Sequence, residues 1–203
     1  MRDRLPSTLT TRLRGDDRSV SPVIGAVLML ALAMLLVTVL QATAIPSLNA
    51  QHEFQHNQDV QSDVVRLDAA VDRVAATGTG ETATVDVGFR YPPRLVFINP
   101  PPVNGRLSTT EPGTVTIENA RAAGETGDYW DGTTRTFETR TIEYAPAYNE
   151  YGTAPVTVYE PWAVYNRFDE RTLSVTDTDL VDGREISLVA VDGEYVTSRT
   201  GTV

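Results

Sequence analysis

The residues best spaced for chemistry in this chain are His52-Glu53-Phe54-Gln55-His56. On a helix, residues four apart share a face. His52 and His56 can therefore present two imidazoles to one zinc ion, with Glu53 as general base on a zinc-bound water. A working centre also needs a third ligand, oriented supporting groups and a cleft that excludes water. Asp68 and Asp72 serve as third ligand only if the helix bends back, because a straight helix carries them about 20 Å away at ~1.5 Å per residue. The motif lies in a glutamine-rich polar stretch, residues 49–58, with no folded region before it. A solvated helix face is the expected reading. His52 and His56 remain as metal candidates, and neither a cofactor nor a catalytic residue is expected.

The rest of the chain offers little to a mechanism. Cysteine is absent from the 203 residues, which removes thiolate ligands, disulfides and cysteine nucleophiles. Residues 82–203 contain no histidine, so a Ser/His/Asp arrangement cannot form there. No glycine-rich phosphate loop links a strand to a helix. Asp177, Asp179 and Asp182 precede Gly183, but without the calcium-loop spacing or a bidentate glutamate, so a solvated turn is expected. Tyr144, Tyr148, Tyr151, Tyr159, Trp162, Tyr165 and Phe168 concentrate aromatics, read chiefly as cross-strand packing and secondarily as a contact surface for glycan or protein. None of the asparagines heads an Asn-x-Ser/Thr sequence, so N-glycosylation is not expected. The 17 basic residues are all arginine and face 27 acids, for a net charge of -10. Such a chain lacks the clustered positive charge that phosphate contacts require, so no nucleic-acid partner is expected. An acid excess without lysine suits a head exposed to high salt, which screens self-repulsion.

One element dominates the N-terminal quarter. No charged residue occurs between Ser19 and His52, and residues 23–40 are almost wholly apolar on every face. Eighteen such residues span about 27 Å, close to the hydrocarbon thickness of a bilayer. Residues 1–18 carry five arginines and three aspartates, whereas the chain after the span is strongly acidic. That asymmetry predicts a cytoplasmic N-terminus and an external C-terminal bulk. Ala42-Thr43-Ala44 offers a small-x-small site for conventional secretory cleavage.

The residues entering the span carry a second pattern: Asp16-Asp17-Arg18-Ser19-Val20-Ser21-Pro22-Val23-Ile24-Gly25. This resembles the N-terminus of type IV pilin-like proteins of halophilic archaea, over about residues 16–45. The resemblance implies cleavage by a prepilin-type peptidase between Ser19 and Val20, with Arg18, Ser21, Pro22, Val23, Ile24 and Gly25 as the flanking motif. Ser19 stands where the family usually has alanine or glycine, and Ile24 at about the position of an acid in many bacterial pilins. Removing the leader would delete charge while keeping the anchor, leaving one helix to sit in lipid or to pack with other subunits. Gly25, Ala26, Ala31 and Ala33 permit close helix packing without forming a persistent small-xxx-small face.

Beyond Pro46, a possible kink or end of the first helical segment, Val60, Val64, Leu67, Val71 and Val74 recur at helical spacing with acids between them. The expectation is an amphipathic helix laid against the following domain, with a self-associating stalk as alternative. Gly78 and Gly80 stop it. Strands are expected at 82–89, 94–99, 113–119, 133–144, 155–159, 172–176, 185–191 and 194–199, punctuated by proline, Asn-Gly and Asp-Gly turns. The fold class is therefore α+β: a transmembrane helix with an amphipathic extension, then an antiparallel, sandwich-like all-β head. The expected organisation is a cytoplasmic leader at 1–19, the membrane helix at 20–45, a helical stalk at 46–76, a linker at 77–81 and an extracellular head at 82–203. The expected role is non-enzymatic: a single-span, pilin-like surface protein, structural or a minor pilus subunit. Its partners are the lipid bilayer and, through the helix, pilin-like subunits. A membrane-anchored binding module for glycan or protein is the alternative, and an anchored zinc peptidase the remote one.

Overall fold

The computed structural model describes residues 20–177, 181–182, 185–186 and 188–203. The chain divides into two compact units, residues 1–44 and 45–203. In the first, residues 20–44 belong to helix α1 (Val20–Thr77). Every side chain from Pro22 to Leu40 is exposed. The mean hydropathy of the span reaches 2.9 over an 18-residue window, none of it buried, which is long and apolar enough to cross a membrane. Its threonines satisfy themselves internally: the Thr38 hydroxyl donates to the Met34 carbonyl at 2.9 Å, and Thr43 to Val39 at 2.9 Å. This is the arrangement a hydroxyl needs where water is absent.

The second unit begins at Ile45 and contains the rest of α1. Pro46 does not end the helix, which continues to Thr77. It removes only one backbone donor, leaving the Ala42 carbonyl without its usual helical partner. The helix stops at Gly78, whose φ of +66° is the left-handed conformation that glycine adopts without a Cβ clash. The Gly78 N–H donates back to Val74 O at 2.8 Å. Arg73 then grips Glu81 with both arms of its guanidinium, at 2.9 and 2.8 Å, and turns the chain toward the sheet.

The head is antiparallel, as expected. Six strands form one sheet in the order β10-β1-β4-β5-β6-β7. They are β1 (Asn104–Thr109), β4 (Ile142–Ala147), β5 (Val156–Glu160), β6 (Ala163–Arg167), β7 (Thr172–Ser174) and β10 (Val196–Arg199). β2 (Gly113–Ile117) and β3 (Arg135–Thr139) make a separate ribbon, as do β8 (Val181–Asp182) and β9 (Glu185–Ile186). The layer facing the six-stranded sheet is α1 itself. Val60 and Val64 from the helix pack with Val85, Val87, Leu107, Tyr144, Tyr159 and Val164 in one buried cluster. Burying apolar side chains from helix and sheet against each other is what makes the amphipathic stripe favourable.

Several strands differ from expectation. Residues 94–99 are a bend-containing loop, because Pro92, Pro93 and Pro100–Pro102 lack the N–H groups a ladder needs. The paired strand begins instead at Asn104, in a dipeptide read as a turn. Residues 133–144 divide into β3 and β4, and β6 lies between the strands expected at 155–159 and 172–176. Residues 82–89 run extended beside the C-terminus: Val85 and Val203 exchange backbone bonds at 3.0 and 2.9 Å, and Val87 N–H reaches Gly201 O at 3.0 Å. This crossing needs Gly105, where a Cβ would stand 2.1 Å from Val87 O and 2.5 Å from the Tyr144 ring.

Candidate functional site

The buried stripe of α1 is longer than its apolar residues suggest. Ile45, Asn49, Glu53, His56, Asn57, Val60 and Val64 are all buried at three- and four-residue spacing. In the N-terminal half of this stripe the inward residues are polar. Buried polar groups need partners, and here distant loops supply them.

Glu53 is fully buried and is the centre of that arrangement. Three consecutive backbone N–H groups donate to its carboxylate: Asn149 to Oε1 at 2.9 Å, Glu150 to Oε2 at 2.9 Å and Tyr151 to Oε2 at 2.6 Å. The Tyr91 hydroxyl donates to Oε1 as well. Burial first, and then this bond to Glu53, raise the Tyr91 phenol well above its ordinary range, which keeps it a donor. Asn149 completes the knot through its side-chain amide, which donates to Tyr91 Oη and to Pro101 O, both at 3.0 Å. One turn nearer the span, Arg94 donates to Asn49 Oδ1 at 2.9 Å and also to Asn99 Oδ1. Asn99 in turn donates to Pro92 O at 2.7 Å. Two loops, 91–102 and 148–152, are thus clasped onto one helix face.

His56 lies one turn beyond Glu53. Its Nδ1 is 2.8 Å from Tyr148 Oη, and its ring packs 4.9 Å from Phe89. Burial lowers its pKa below the ordinary histidine value, opposed by Asp86, Asp59 and Asp63. Its Nε2, the Asn57 amide nitrogen and Asp86 Oδ1 are buried without a protein partner. His52 is only half-buried.

This geometry reassigns the HEFQH motif. Both oxygens of Glu53 are occupied by protein donors, so the residue placed to activate a bound water instead holds a loop by its backbone. The polar stretch read as a solvated face is buried on that side. Asp68 and Asp72 line a separate cavity of about 440 Å³ with Trp162 and Asp177. Among the described residues, no group of three or more His, Asp or Glu is arranged to hold a metal ion. Of the three aspartates considered for calcium, Asp179 and the Asp182 side chain lie outside the described residues. The aromatic residues serve different surroundings. Tyr144 and Tyr159 are core, and burial pushes the Tyr144 phenol up to about 12. Tyr148 and Tyr151 stack at 6.0 Å beside the helix, and Tyr165 donates to Glu160 at 2.8 Å.

At the start of α1, Arg18 and Ser19 lie outside the described residues, as does the Ser21 side chain. Val20 is the first helical residue. Val23 and Ile24 are exposed, and nothing lies within 4 Å of where a Gly25 Cβ would be.

Residues 18–54 match the family described as archaeal type IV pilin, N-terminal. The N-terminal segment of this chain is thus similar to that of archaeal type IV pilins. The match runs from Arg18, two residues before the expected cleavage point, to the residue after Glu53, so the pilin-like segment includes both the span and the first half of the clasp. An uncharacterized protein of Archaeoglobus fulgidus is 36% identical over 85 residues, covering 42% of this chain and 15% of the relative. The matched part is thus a small fraction of that relative's length. No solved structure matches the chain. The pilin-like segment supports a structural subunit with a single membrane anchor near its N-terminus.

Proposed function

We propose that this pilin-like protein is a cell-surface structural subunit, held by one span with its C-terminal head outside the cell. The observation that carries this reading is a single helix, α1, whose first part is wholly apolar and exposed and whose later part supplies core residues to the head. The outward orientation rests on the arginine-rich residues 1–18 and the acidic remainder.

In this reading residues 1–19 are a cytoplasmic leader that a prepilin-type peptidase removes between Ser19 and Val20. The apolar helix 20–45 then anchors the subunit or packs against the helices of other pilin-like subunits. The role is that of a minor pilus or envelope component, with Glu53 as a loop anchor. N-terminal sequencing of the mature protein tests the processing step. A start at Val20 supports it, whereas a start at Ile45 means conventional secretion and an intact N-terminus means a plain anchor. Shearing cells and probing the released filaments tests assembly. Retention of all the protein in the membrane fraction counts against a filament role.

A further inference from the structure

The second unit carries two apolar surfaces that complement each other. The first is the loop held by Arg94 and Asn99, on which Leu95 is fully exposed and Val96 is 67% exposed. Apolar side chains presented this openly mark an interaction surface. The loop is tied down behind them: Arg94 donates to Asn49 of α1 and to Asn99, and Asn99 donates to Pro92 O.

The second is a cleft between α1 and the sheet. Two adjoining cavities, of about 310 and 300 Å³, share Leu67 and Ala83 as walls. Val74 and Val191 line the first, Ile142 and Val203 the second. Val191, Ile142 and Val203 are only partly buried where they pack against the core cluster, so the cleft is an open edge of that core. Leu67 stands about five helical turns beyond Asn49, or about 27 Å along α1. The loop is thus remote from the cleft of its own copy.

Charge says what occupies the cleft. Residues 87–110 contain no acid, and their Arg90 and Arg94 form no ion pair among the described residues. Residues 53–86, which supply the helical wall of the cleft, hold seven acids against Arg66 and Arg73. Exposed Asp192 lines the cleft as well. Loop against loop sets like charges together, whereas loop against cleft sets opposite ones together. We propose that loop 92–102 of one copy of this chain docks in the cleft of the next. Leu95 and Val96 enter the apolar opening, and Arg90 and Arg94 face its acidic walls. The contact joins different surfaces of identical heads, so it can repeat from copy to copy. It rests on the reading of the protein as an assembling subunit, and it adds a head surface to the helix as the means of assembly.

The chain has no cysteine, so single cysteines report contacts cleanly. Full chains carrying Val96→Cys and Ala83→Cys, with different affinity tags, are co-expressed. Isolated membranes and sheared material are then treated with a short bis-maleimide. Thr116→Cys on the β2–β3 ribbon replaces Val96→Cys as a control, and Leu32→Cys in the span reports helix packing. The expected result is a Val96–Ala83 product several-fold more abundant than Thr116–Ala83 or Val96–Val96. Arg90→Glu on the loop-bearing chain should lower it several-fold, while the purified variant melts with the wild type. Equal yields at all three pairs, or a yield that Arg90→Glu leaves unchanged, overturn the proposal. A dominant Val96–Val96 product overturns it in favour of a loop-to-loop pair. An Ala83→Cys thiol that is shielded in membranes, reactive in the purified monomer and not joined to Val96 means that another occupant fills the cleft, and overturns it too. Cross-links through Leu32 without any through the heads leave the subunit reading standing and remove the head contact. Absence of both removes both.

Discussion

Replacing Glu53 with glutamine tests whether this residue is a structural acceptor. The side chain keeps its size but loses one accepting oxygen, and the new amide group points donors at donors. Depending on its flip, it confronts either the N–H groups of Glu150 and Tyr151 or the Asn149 N–H and the Tyr91 hydroxyl. Each buried donor left unmade costs about 1–3 kcal/mol, and bonds to a charged acceptor lie toward the upper end. Two such losses, partly relaxed by movement of loop 148–152, total about 3–5 kcal/mol. That is a large fraction of the ~5–15 kcal/mol typical of a folded domain. The full chain in mild detergent, followed by near-ultraviolet circular dichroism of its tyrosines, should show Tm lowered by roughly 6–20 °C. His52→Ala, at a half-buried position outside the clasp, should leave Tm nearly unchanged. A Glu53→Gln protein that melts with the wild type refutes the clasp. A zinc-dependent peptidase activity that this variant abolishes would restore the catalytic reading of HEFQH.

The pH response of the head should follow His56. Its folded pKa lies below the ordinary 6.5 because burial disfavours the charged ring, so below that value the unfolded chain binds more protons. Stability is complete above about pH 6.5 and declines as pH falls toward the folded value, and His56→Gln should flatten that part of a Tm-versus-pH curve. Gly105→Ala should destabilise strongly or prevent folding, because its Cβ would meet Val87 O and the Tyr144 ring at less than contact distance; expression with native near-ultraviolet circular dichroism would contradict this. Val64→Ala should cost about 2 kcal/mol in urea unfolding, from two lost carbon groups and the cavity left behind. With a net charge of -10, the head should also lose stability as ionic strength falls, and an unfolding midpoint unchanged between molar and low salt would count against that.

How far the sequence could be read depended on the range of the interaction concerned. The glycine stop at Gly78 and the burial of Val60 and Val64 were legible, because periodicity and a left-handed cap are local properties. Strand positions were less so. The run 94–99 has strand-like side chains, yet its flanking prolines cannot join a ladder. Ala163–Arg167 was obscured by the aromatic residues around it. The polar half of the helix stripe was misread altogether. Asn49, Glu53, His56 and Asn57 follow the same spacing as the valines after them. A hydropathy pattern, however, scores a polar inward face as a solvated one.

Sequence by itself therefore decided the apolar span and the charge asymmetry across it. Transfer of contiguous apolar residues from water is roughly additive and needs no knowledge of other contacts. Only the tertiary structure decided what Glu53 does. Its backbone donors sit 96 to 98 residues away on a loop, and a carboxylate in a H-E-x-x-H pattern looks the same whether it meets a metal-bound water or three backbone N–H groups. Which of these a buried charge meets is settled by the neighbours that folding brings to it.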